Sequence, residues 1–79
     1  MNKFKLLQLV ALQRDVPEHD LRAGDVGTIV ELLDSAAVIV EFMEAYGNTR
    51  AVLTLPVEDV REIQPNEMLA ARPLHPSSA

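Results

Sequence analysis

The chain has no cysteine and no tryptophan in its 79 residues, only Phe4, Phe42 and Tyr46 as aromatics, and seven Lys or Arg against twelve Asp or Glu. Each shortage removes a class of protein. Without thiols, neither a disulfide framework nor a thiolate zinc site can reinforce the fold, and a reducing compartment, the cytoplasm, is the expected location. Three aromatics do not furnish the stacking platform and basic groove of a nucleic-acid-binding barrel, nor the aromatic row that grips proline-rich peptides. The net charge of -5 opposes a phosphate backbone and favours a basic or neutral partner. No apolar run approaches the roughly 20 residues a membrane-spanning helix requires. Lys3 and Lys5 precede apolar residues as in a signal peptide, but Gln8 interrupts the run and Arg14 and Asp15 stand where a small-residue cleavage site belongs, so no secretion is expected.

What is present is a β pattern. Leu21 to Glu31 carries Gly24 and Gly27 into the β-branched run Thr28-Ile29-Val30, which reads as a tight turn feeding a strand. Turn signals recur about every ten residues with short apolar runs between them, the spacing of a small all-β domain. The expected strands are Leu7 to Leu12, Val26 to Leu33, Ala36 to Phe42, Arg50 to Leu55 and Val60 to Ile63, with a long loop from Gln13 to Asp25 after the first. In the third, Val38, Val40 and Phe42 alternate with Ala37, Ile39 and Glu41, so one set faces a core anchored by Phe42. Asp34-Ser35 and Tyr46 to Thr49 supply turns, and Pro56 ends the fourth strand because it lacks the amide hydrogen a ladder needs.

Beyond Ile63 the composition changes: Pro65, Pro73 and Pro76 fall between Gln64 and Ala79, so residues 64–79 are expected to form a flexible tail to a domain spanning residues 1–63. Met68 to Ala71 suits a single helical turn, either plugging the domain or meeting a partner.

No residue set carries recognisable catalytic chemistry. His19 lies among Asp15, Glu18 and Asp20, but this spacing matches no metal motif, and a solvated acidic loop is the simpler reading. Ser35, Ser77, Ser78, Thr28, Thr49 and Thr54 lack the base and orienting group that activate a nucleophile. Gly24-Asp25-Val26-Gly27 leads into a strand, whereas a phosphate loop leads into a helix N-terminus. The expectation is therefore no enzyme, no metal and no cofactor.

The long first loop, the Gly-Asp-Val-Gly-Thr-Ile-Val segment and the Leu55 to Val60 turn resemble an SH3-like barrel. More narrowly, Val10-Ala11-Leu12, Pro17-Glu18-His19, Leu21 to Glu31 and Thr54-Leu55-Pro56 are similar to a small bacterial family known only as a domain of unknown function, over about Leu9 to Ile63. The resemblance implies a five-stranded barrel and assigns no catalytic residue. By analogy with other small bacterial proteins, it also suggests an accessory or neutraliser of a neighbouring effector or toxin.

From Asp15 to Glu44 eight acids face a single base, Arg22. The expected function is a non-catalytic protein-interaction module, with Asp15, Glu18 and Asp20 steering a basic protein and Ile39 and Tyr46 supplying apolar contact. A homodimer formed through sheet edges is the second expectation, and a nucleic-acid-binding barrel the third.

Overall fold

The computed structural model describes residues 1–67 and 71–75. Five strands form, β1 (Leu9–Leu12), β2 (Val26–Leu33), β3 (Ala37–Met43), β4 (Thr49–Pro56) and β5 (Val60–Glu62), with single 3-10 turns at Pro17–His19, Val57–Asp59 and Pro65–Glu67. They make one antiparallel sheet in the order β4-β3-β2-β1-β5, and there is no α-helix among the described residues. The period-two pattern of β3 is realised as read: Val38, Val40 and Phe42 are buried, and Val40 lies between Ile29 of β2 and Leu53 of β4. Val10, Leu12, Ile29, Leu55 and Val60 complete this face of the sheet.

Two register shifts shape the sheet. Ile29 pairs with Val40 and Glu31 with Ile39, leaving Val30 as an extra residue in β2; Phe42 pairs with Ala51 and Met43 with Thr49, leaving Arg50 extra in β4. Such bulges bend a strand and increase its twist. Chain connectivity demands that bend. In a flat sheet β4 and β5 would stand about 19 Å apart, four strand spacings, whereas the turn joining them can span at most about 14 Å. The sheet therefore curls until its ends approach. The expected barrel is corrected in one respect: it is not closed, since no ladder joins β4 to β5 among the described residues and the three-residue β5 pairs there along one edge, with β1.

The glycines of the opening motif do different work. Gly24 has φ +94°, a backbone conformation that a side chain disfavours. Gly27 lies against β3, where an added Cβ would sit 2.5 Å from Val40 Cγ1 and 2.9 Å from Phe42 Cε1, so it serves close approach within the core and not the turn.

The loop from Gln13 to Asp25 is built rather than slack. Val16 and Leu21 bridge each other and are buried, and Asp20, at φ 55°, reverses the chain after Pro17–His19. β1 begins two residues later than expected, because Leu7 takes φ 66° in a turn closed by the Gln8 amide on the Lys5 carbonyl. Leu6 and Leu7 are exposed there, while Phe4 enters the core.

Of the residues expected to form a flexible tail, 64–67 and 71–75 are described. Leu74 is only 4% exposed and belongs to the core cluster. Its apolar side chain gains more from burial than the proline-rich composition suggested. The helical turn expected at Met68 to Ala71 lies largely outside the described residues.

Candidate functional site

The most polar buried arrangement in the fold begins at Asp25. Its backbone is clamped by the end of β1: Leu12 N–H donates to the Asp25 carbonyl, and Gly24 N–H donates to the Leu12 carbonyl. The carboxylate accepts the Arg22 amide at 2.8 Å and is 1% exposed. A carboxylate so removed from water requires compensating donors. Arg72 supplies them as a fork, with Nε on Oδ1 at 2.7 Å and Nη2 on Oδ2 at 2.8 Å. Hydrogen bonding to Asp25 is the leading cause that raises the Arg72 pKa above its ordinary value.

A second arginine extends the arrangement. The bulge in β4 sets Arg50 beneath the loop, with its side chain only 9% exposed. Nη1 reaches the Asp20 carboxylate at 3.2 Å, Nη2 donates to the His75 carbonyl, and Glu44 lies 3.7 Å from Nε. Among the described residues the Nε hydrogen has no hydrogen-bond acceptor. The Asp20 carbonyl accepts from both Arg50 and Arg72, and the Ala45 amide donates to the Leu74 carbonyl.

Together these contacts describe a groove between the first loop and the β3–β4 turn, in which residues 72–75 lie. Its outer end opens into a cleft of ≈ 320 Å³ lined by Glu18, His19, Asp20, Glu44, Thr49 and Arg50, among others. Three carboxylates against one guanidinium leave that mouth negative, and the arrangement can hold cationic groups by charge-assisted hydrogen bonds.

The residues singled out from sequence fall into three groups. Asp20 is in the groove, and Tyr46 stands at its rim, 78% exposed with its ring 6.4 Å from that of His75. Glu18 is exposed on the 3-10 turn, while Asp15 accepts the Ala23 amide at 2.9 Å and so helps shape the loop. Ile39 is elsewhere, half-buried on the outer face of the sheet between Glu31 and Thr54. Sequence reasoning missed Arg50, Arg72 and the burial of Asp25. A bulge and a contact 47 residues long leave no local spacing to detect, although Asp25 between two glycines was a signal that its carboxylate had a fixed place. Among the described residues no three His, Asp or Glu side chains converge as a cation site, and no helix is long and apolar enough to cross a membrane.

Fold and groove together define a small antiparallel β-domain whose most built feature is an acid-lined seat for a stretch of chain. The family described as "Domain of unknown function (DUF4926)" matches residues 6–62, and the chain belongs to that family. Neither a curated protein nor a solved structure matches it.

Proposed function

We propose that this protein is a non-catalytic interaction module, an SH3-like barrel left open at one seam, that binds a basic protein partner in the bacterial cytoplasm. One observation carries this reading: the first loop and the β3–β4 turn hold two guanidinium groups with Asp20, Asp25 and Glu44. Surface acids that only confer solubility would be dispersed, whereas these converge on arginines. The exposed Glu18 and Tyr46 extend the same rim, so a partner would meet charge first and an aromatic ring beside it. An accessory or neutralising role toward an effector protein is consistent with such a surface.

The test is affinity capture on the immobilised full chain, beside a variant carrying Asp15→Asn, Glu18→Gln and Asp20→Asn. A protein enriched by the parent should associate several-fold more slowly with the variant at low salt, since peripheral charge acts mainly on encounter. Equal association rates would overturn the acidic surface as the interface.

The edges of β4 and β5, unpaired among the described residues, support a second reading, self-association. Met43 and Val52 are exposed on or near β4, and an unpaired strand edge can template another copy. The mass in solution separates this reading from the first.

A further inference from the structure

We propose that the groove is a receptor for an extended Arg-Pro-Leu segment of a partner protein, and that residues 72–75 are its resident, displaceable occupant. This deepens the interaction-module reading and rests on it.

The division of the contacts supports the proposal. Asp20, Asp25, Glu44, Ala45 and Arg50 all lie within residues 6–62, the span of the family match, whereas Arg72, Leu74 and His75 lie beyond it. The seat therefore lies within the matched span and its occupant outside it.

The occupant is held as a peptide ligand would be. Arg72 makes a two-pronged contact with the buried carboxylate, Leu74 fills an apolar site, and main-chain carbonyls of Leu74 and His75 accept from Ala45 and Arg50. Pro73 has no amide hydrogen to satisfy and restricts the chain between the two side-chain anchors. Arg72 remains 36% exposed, so the occupant can be approached from solvent. Arg50, nine-tenths buried at the His75 end, faces Glu44 at 3.7 Å from its Nε, so the seat stays charged at the end where a longer ligand would continue.

The geometry sets the ligand's chemistry. The fork on Asp25 selects arginine over lysine, because a guanidinium satisfies both carboxylate oxygens at once. Leucine two positions later must reach the core. A resident segment tethered to the domain competes at an effective concentration in the millimolar range, so a partner must either bind at several points or meet a chain whose own segment has been loosened.

The experiment uses full-length chain labelled with ¹⁵N and a synthetic peptide, Ala-Arg-Pro-Leu-His. Arg72→Ser with Leu74→Ser loosens the resident segment. The peptide should produce saturable shifts in the Asp25, Ala45 and Arg50 amides of this variant, with affinity at least tenfold tighter than for the parent. Replacing the peptide arginine by glutamine, or adding Asp25→Asn to the variant, should weaken binding tenfold or more. If the double variant does not fold, Arg72→Ser alone serves the same comparison.

A folded, loosened chain that shows no saturable shifts at millimolar peptide overturns the proposal, as does equal binding of the glutamine peptide. Should those results accompany a partner whose association depends on Asp15, Glu18 and Asp20, the module reading survives and the groove is only a structural clasp. Loss of that dependence, with peptide binding intact, would instead remove the acidic loop from the interface and keep the groove.

Discussion

At the scale of single residues, the buried pair is asymmetric, and so are its expected mutations. Arg72→Met strands the carboxylate of Asp25, 1% exposed, leaving it, among the described residues, the Arg22 amide for compensation, whereas Asp25→Asn leaves a partly exposed guanidinium that water can solvate. Removing one member of a fully buried pair costs about 3–5 kcal/mol; the exposure of Arg72 reduces this, and Arg72→Met should cost about 2 kcal/mol. Asp25→Asn should cost less, since its amide oxygen can still accept from Arg22. Urea melts of the two variants check the order, and equal midpoints would contradict it. Phe42, wholly buried beside Gly27, is the largest fully buried side chain among the described residues, and Phe42→Ala should cost about 3–5 kcal/mol through lost contact and a residual cavity. Gly27→Ala should destabilise by about 1–3 kcal/mol for the opposite reason, overpacking against Val40 and Phe42. A thermal melt unchanged by either substitution would mean that the β2–β3 packing is looser than described.

At the scale of elements, β3 and the first half of β2 were legible because their burial repeats every second residue, and β2 was bounded to the residue by Asp25 before it and Asp34 after it. The bulges were not legible: Val30 and Arg50 are ordinary strand residues by type, and only pairing reveals them as extra. The contribution of residues 71–75 was hidden for a related reason, since prolines announce that a segment will not join a ladder but not whether its one leucine finds the core. Truncation after Glu67 should therefore leave a β-type circular dichroism spectrum at low temperature but lower the melt, with about 1.5–3 kcal/mol lost from the burial of Leu74 alone. An unchanged melt would show that Leu74 adds nothing to the core. The short turn Pro65–Glu67 has its own marker. Glu67 accepts from the Gln64 amide and from Arg61, and the former is the leading cause lowering its pKa below the ordinary 4.5. Because the folded value is depressed, the contribution of Glu67 is present above pH 4.5 and lost as pH falls through that lower value. An NMR titration of its side-chain carboxyl with a midpoint at or above 4.5 would contradict these hydrogen bonds.

At the scale of the whole molecule, the candidate site was legible only in part. The acids between Asp15 and Glu44 include Asp20, Asp25 and Glu44 of the groove, while the arginines they meet depend on a closure that no local pattern encodes. That closure has a temporal consequence. β1 takes β2 on one side and β5 on the other, so the earliest strand synthesised must wait for the last before both its edges are covered. The hairpins β2–β3 and β3–β4 join neighbours in sequence and can form early, but Val10 cannot meet Glu62 until nearly the whole domain has left the ribosome. Non-local pairing of this kind slows folding toward the millisecond-to-second range. Substitutions in β5, such as Val60→Ala, should then speed unfolding and leave the refolding rate nearly unchanged, whereas Val40→Ala should slow refolding as well. Stopped-flow rates for the two variants would decide the order, and for an interval in every synthesis the edge of β1 that β5 will cover still waits for it.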